Sequence, residues 1–249
     1  MNPVDAVPAD PAPADAAPTD SVPAQEEITL ERVLESAARL QRIVPDAVLV
    51  GGTAAAFYAH HRLSVDHDHV LADLQSRFDV VLDALERDPD FVLNRATPNV
   101  IVLGSLGGIE TGVRQLRRQR PLEVAKVDLP NGGSVVVPTL EEIIRIKAYL
   151  ITSRNQTRDF LDLAALSQVL GTRETASILL NIDDYYNDET RPVGLPVRDQ
   201  VSRQLANPQP KDVRGFARLK QYKGLHRDWR RWETVVEGCQ AVAAHMSEG

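Results

Sequence analysis

Two aspartates one residue apart, Asp66 and Asp68, follow a glycine pair, Gly51 and Gly52, at a distance of Thr53 plus twelve further residues. On a strand, alternate side chains face the same way, so these carboxylates can share hard divalent cations such as Mg²⁺ or Mn²⁺. A glycine corner between a strand and a helix lets a ligand approach the backbone. The helix N-terminus then offers free N–H groups and partial positive charge to phosphate oxygens, which gives Gly51, Gly52 and Thr53 the character of an anion cradle. Paired cations about 3.5–4 Å apart would clamp the attacking and leaving oxygens of an in-line displacement at phosphorus. Glycine corner first and acidic pair second is the pattern of nucleotidyl transfer.

A lysine far along the chain belongs with these residues. Thr139 and Glu142 have capping-box spacing, and Leu140, Ile143, Ile144 and Ile151 mark the buried stripe of the helix they open. Lys147 lies on that stripe, one turn from Ile143 and from Ile151, where an ammonium is costly unless an anion meets it. Either it faces a triphosphate or its stem packs while its head snorkels to water. Just downstream, Arg158 and Asp162 stand one turn apart and can pair, with Asp159 on the adjoining position.

Other reactive residue types are read more plainly. Four of the six histidines fall between His60 and His69, but with no cysteine nearby and no His-x-x-x-His pair a structural zinc is not expected. On a regular strand His67 points away from Asp66 and Asp68. Cys239 reads as an inert apolar residue. Trp229 and Trp232, among Arg227, Arg230 and Arg231, either stack on unpaired bases or anchor a terminal helix to the core.

These residues need elements to position them. Apolar recurrence from Ile28 to Ile43 predicts a first amphipathic helix, and Ala47–Val50, Gly51–Gly52 and Ala54–His60 read as strand, tight turn and helix. Strands are expected around 66–71, 91–93, 100–103, 122–129 and 134–137, the last two joined at Pro130-Asn131-Gly132-Gly133, with a helix at 74–85. Beyond Pro138 only helices are expected, at 139–153, 156–170, 172–180, 197–205, 213–222 and 226–245. The fold class is therefore α+β (α/β): a mixed β-sheet core with flanking helices, followed by an α-helical C-terminal half. The expected division is a tail at 1–25, an α/β core at 26–138 and a helical domain at 139–249 that completes the active site.

Composition bounds the rest. With 249 residues, 27.4 kDa, and no apolar run near the roughly 20 residues that cross a bilayer, neither a stapled mini-protein nor a membrane span is expected. One cysteine and no charged-then-apolar leader favour the cytoplasm. Residues 1–24 carry six prolines and an acid at every fifth position from Asp5 to Asp20, a composition expected to stay disordered. The formal charge of −7 is concentrated here: removing the six acids of residues 1–27 from 35 leaves 29 against 28 basic residues. Arg114, Arg117, Arg118 and Arg120 form one basic run, and Lys211 to Arg231 carries another that includes Lys220, Lys223, Arg227 and Arg230. Each run is either a polyanion surface or a solvated helix face, and the acidic tail could shield such a surface.

The pattern Gly-Gly, about ten residues, Asp-x-Asp resembles the nucleotidyltransferase superfamily typified by DNA polymerase beta. With Lys147 and Arg158-Asp159-x-x-Asp162 it resembles the AbiEii/MenT family of bacterial nucleotidyltransferase toxins over residues 47–170. Arg62-Leu63-Ser64-Val65-Asp66-His67-Asp68 matches the Arg-x-Ser/Thr-x-Asp-x-Asp segment of that family. The resemblance implies that Ser64, Asp66, Lys147 and Asp162, or else Asp159, are catalytic, that Asp66 and Asp68 hold metal, and that Lys147 holds the triphosphate. It also implies a tRNA 3′ end as acceptor and a cognate antitoxin as partner, and the two basic runs then make Arg117, Arg118, Lys220, Lys223, Arg227 and Arg230 the expected RNA contacts. His67 and His69 replace apolar neighbours usual in the family, and Asp128 is the choice for a third carboxylate. A scaffold that keeps the fold without the chemistry, and a transferase acting on a small-molecule hydroxyl, are the competing readings.

Overall fold

In the computed structural model, which describes residues 28–118, 120–186, 196–212 and 219–249, the apolar recurrence after Ile28 becomes helix α1 (Leu30–Ile43). The Thr29 side chain caps it by accepting the Arg32 N–H. The tail at 1–25 and the segment 213–218, with Arg214 and Arg218, lie outside the described residues.

The chain then runs β1 (Val48–Val50), α2 (Gly51–Ala59), β2 (His67–Leu71), α3 (Leu74–Glu86), β3 (Phe91–Thr97), β4 (Ile101–Leu106) and β5 (Ile109–Gln115). Five strands form one mixed sheet in the order β1-β2-β5-β4-β3, in which only the β2–β5 pair is parallel. Strand β5 was not expected from the sequence, yet it sits at the centre. Gly107 and Gly108 both have positive φ and make the two-residue hairpin that turns β4 into β5. Strands β6 (Val124–Asp128) and β7 (Ser134–Pro138) pair as expected but form a separate two-stranded sheet.

Helices α4 (Leu140–Arg154), α5 (Thr157–Leu170), α6 (Thr172–Leu180), α7 (Val197–Ala206) and α8 (Trp232–Glu248) follow. The expected helix at 226–245 is broken: Arg227–Trp229 is a single 3₁₀ turn and α8 begins only at Trp232. Of the expected 213–222 helix, the described part is a 3₁₀ turn at Leu219–Gln221. Trp229 is buried and Trp232 meets the Phe160 ring edge-on at 6.2 Å, so this pair anchors the C-terminal segment to the core.

Two apolar clusters hold the elements. Leu40, Leu71, Leu74, Phe78 and Val113 join α1 and α3 to one sheet face. The larger cluster takes Leu49, Ala54, Ala55 and Val137 together with Ile143, Phe160, Leu161, Val201 and Val242, so residues on both sides of Pro138 share one core. No helix among the described residues is long and apolar enough to cross a membrane.

Candidate active site

The strand, glycine, helix sequence at 48–59 folds without an intervening turn. Gly51 is itself the first residue of α2, at φ +75°. Beside it, Gly52 is required by contact rather than by φ. A Cβ there would stand 2.4 Å from Arg62 Nη2 and 2.9 Å from Ser64 Oγ. The missing side chain admits both groups to the corner.

Asp66 precedes β2 and Asp68 lies within it. Together with Val70 they face a cleft of about 830 Å³, while His67 and His69 are buried on the opposite face. Ser64 Oγ donates to Asp66 Oδ1 at 3.0 Å, and the Thr53 hydroxyl donates to the Asp66 main-chain carbonyl. Thr53 is buried and does not border the cleft, so it positions Asp66 instead of holding phosphates as its sequence context suggested. Across the sheet, Asp68 registers with Gly112 of β5, where a Cβ would come within 3.1 Å of Asp68 Oδ1. Arg114, two residues on, brings Nε to 3.5 Å from Asp68 Oδ1.

Seven basic side chains, Arg62, Arg114, Arg117, Arg118, Lys147, Arg154 and Arg158, border this cleft against the two carboxylates. Gly51 and Gly52 share its wall, so Lys147 stands on the same cleft as the acidic pair and the corner. Its ammonium, however, is already met: Nζ lies 2.6 Å from Asp162 Oδ2 and 3.6 Å from Asp159 Oδ1, and the residue is 1% exposed. Snorkelling is excluded.

Asp162 is the centre of a buried polar cluster. Arg62 donates to it through Nε and Nη2 at 2.8 and 3.1 Å, and His61 Nε2 lies 2.7 Å away. Burial alone would raise this carboxyl, but Arg62, Lys147 and His61 together outweigh it and hold it well below the usual carboxylate range. Asp162 does not border the cleft, and so it acts on the groups that do. The expected Arg158–Asp162 pair is replaced: exposed Arg158 donates to Gln156 and faces the cleft. Asp159 is clamped by Arg154, whose Nε and Nη2 each donate to it at 2.6 Å.

A parallel cluster holds the strap after β5. Arg118 Nη1 lies 2.7 Å from the buried Glu142, which also accepts from Arg145 at 2.8 Å. Glu142 therefore does not close the capping box read from sequence. Its N–H still donates to Thr139, but its carboxylate is spent on arginines. Arg118, with its side chain 4% exposed, is a strut and not the RNA contact it was expected to be, whereas Arg117 is exposed at the cleft. Lys220, Lys223, Arg227 and Arg230 are all exposed along the C-terminal segment. Asp128 is exposed at the hairpin end of β6 and does not border the cleft, so it is no third ligand. No cluster of three metal-ligating side chains occurs among the described residues.

Three histidines are held neutral. Burial lowers His61 against the pull of Asp162, lowers His67 to about 4 against that of Asp66, and lowers fully buried His69 well below its ordinary value. Their ordinary value is near 6.5, so below that pH the unfolded chain takes up protons that the folded chain refuses. Stability present above pH 6.5 is lost as pH falls toward the folded values. His67 alone contributes about 2 kcal/mol of loss at pH 5. Thermal melts at pH 7, 6 and 5 should show a falling midpoint, and a constant midpoint would contradict this burial.

No family model matches the chain. In sequence it aligns with MmpL11 of Mycobacterium tuberculosis, described as a heme uptake protein, at 29% identity over 238 residues. It aligns with MmpL11 of Mycolicibacterium smegmatis, described as an exporter of mycolic acid-containing lipids, at 28% over 232 residues. These alignments take in 87% and 88% of this chain but 22% of each relative, so the chain spans about a fifth of their length. In structure, a candidate nucleotidyltransferase from H. pylori superposes over 90% of this chain and 97% of its own, with a TM-score of 0.53 at 16% identity. The nucleotidyltransferase toxin MenT4 from M. tuberculosis superposes over 88% and 83%, with a TM-score of 0.54 at 16% identity. The fold is that of a nucleotidyltransferase. In this chain, the cleft bordered by β1, α2 and β2 is where the acidic pair and the glycine corner meet.

Proposed function

We propose that the chain is a metal-dependent nucleotidyltransferase that moves a nucleotide from a nucleoside triphosphate to an acceptor. The observation that carries this is the single cleft in which Asp66 and Asp68 face the glycine corner amid seven basic side chains. Two oxygen-donor carboxylates on one face, Asp66 and Asp68, would hold Mg²⁺ or Mn²⁺. Bound there, the cation supplies charge neutralisation and orientation at the reacting phosphate. The α2 N-terminus at Gly51 and Gly52 receives phosphate oxygens, and Arg114, Arg117 and Arg158 offset their charge. The acceptor hydroxyl oxygen bonds to the α-phosphorus as the bridging bond to the β-phosphate breaks. Pyrophosphate leaves, and the hydroxyl proton passes to Asp66 or to solvent. Ser64 orients Asp66. Lys147, locked by Asp162, keeps a fixed positive charge at the cleft wall.

The resemblance to AbiEii/MenT toxins and the fold shared with MenT4 support a cytoplasmic toxin acting on a tRNA 3′ end and restrained by an antitoxin protein. On this reading residues 26–138 form the nucleotidyltransferase core and 139–249 the helical part that completes the site. Incubating the protein with each labelled nucleoside triphosphate, Mg²⁺ and total tRNA tests it: label should enter RNA with at least one nucleotide. If no nucleotide labels RNA, protein or a small acceptor, the enzyme reading is wrong. The ion-paired state of Lys147 favours a second reading, a scaffold that has kept the fold only. A scaffold shows no gain in nucleotide affinity on adding Mg²⁺.

A further inference from the structure

A second cleft, of about 330 Å³, shares Arg62, Ser64, Asp66 and Arg158 with the first. Half of its remaining wall comes from the C-terminal half, through Gln221, Tyr222 and Lys223, and the rest from Leu63, Val65 and Glu110. This segment is built onto the Asp66 loop by main-chain bonds. Leu63 N–H donates to the Lys223 carbonyl at 2.9 Å, and His226 N–H donates to the His61 carbonyl at 2.8 Å. Between them Gly224 has φ +60°, and a Cβ there would stand 2.9 Å from Leu63 Cβ. The contact is close because that position lacks a side chain.

In-line transfer needs the nucleophile opposite the departing pyrophosphate. A triphosphate in the larger cleft therefore leaves the acceptor to arrive by another route that still reaches Asp66, and the second cleft is such a route. We propose that it seats the terminal nucleotide of a single-stranded RNA, with its hydroxyl toward Asp66, its base against the half-buried Tyr222 and its backbone phosphate at Lys223. An aromatic ring beside a lysine suits an unpaired nucleotide, since every base has a stacking face and every linkage a charge. Lys220 continues the exposed positive charge along the same segment, which a small hydroxyl compound would not use, whereas Arg227 is paired with exposed Asp228 at 3.6 Å. Glu110 on the wall excludes phosphate from its own corner and leaves Lys223 and Arg158 as the places for it.

This inference rests on the transferase reading, and the experiment separates the two. The full chain, Lys223→Glu and Lys126→Glu are compared by anisotropy of a fluorescein-labelled single-stranded RNA dodecamer across a salt series, alongside nucleotide binding with Mg²⁺. Lys126 is exposed on β6 and borders neither cleft. Lys223→Glu should weaken RNA binding about tenfold and reduce the slope of log affinity against log salt by about 0.7. Nucleotide affinity and the KM for nucleotide should stay within twofold, and Lys126→Glu should match the parent chain. Equal RNA affinity for the parent chain and Lys223→Glu, equal losses in both variants, or no RNA binding at all overturns the acceptor cleft while leaving the donor site standing. Absence of Mg²⁺-linked nucleotide binding in the parent chain overturns the transferase reading itself.

Discussion

Replacing Asp66 by alanine should lower nucleotide transfer by at least about a thousandfold while moving the melting midpoint by no more than about 2 °C. The asymmetry follows from its contacts. The Asp66 side chain is half-buried and accepts from Ser64, whereas its position is fixed through the main-chain carbonyl that Thr53 holds, and alanine keeps that carbonyl. Truncation therefore removes a cation ligand without opening a core cavity. Radiolabel transfer and calorimetry on the same preparation check both halves. Residual transfer within tenfold of the parent chain would move the chemistry away from this carboxylate.

Asp162→Ala has the opposite signature. It leaves Lys147 and Arg62 buried with no shared counter-charge, and breaking a buried ion pair from one side costs about 3–5 kcal/mol. In a chain of this size that corresponds to a midpoint lowered by about 10 °C. Lys147→Met should cost less, because Arg62 and His61 still meet Asp162 and a thioether suits the apolar stripe around position 147. If Lys147→Met is the more damaging change to stability, the cluster is not organised around Asp162. Lys147→Met should still depress transfer, since a fixed positive charge leaves the cleft wall.

Long periodic elements were legible in the sequence. The helices α1, α3, α4 and α5 announce themselves through apolar spacing, and α4 also through Thr139 at its start. Strand β5 escaped because Ile109-Glu-Thr-Gly-Val-Arg-Gln has neither a continuous apolar run nor clean alternation, and its arginine reads as part of a basic run. Gly107-Gly108 between two strand-length segments was the available signal. Missing β5 also hid Gly112, whose lack of a side chain makes room for Asp68.

At the site, period-two alternation foretold that His67 would turn away from the acidic pair, and the sheet obeys it, with His69 buried on the same side. Spacing could not show that Lys147 and Asp162 meet, because their pairing is tertiary and joins α4 to α5. Nor could it show His61 and Arg62 as members of that cluster, though a lysine on a buried stripe already demanded a carboxylate nearby. Asp128 failed as a ligand for a topological reason: its hairpin is a sheet of its own.

The clasp between Leu63 and Lys223 reaches into how the molecule is born. A ribosome releases the glycine corner and both aspartates early, but the length of main chain that fastens their loop emerges only much later in the chain. Until then the nascent polypeptide holds its reactive groups unfastened, and competence waits on the later segment.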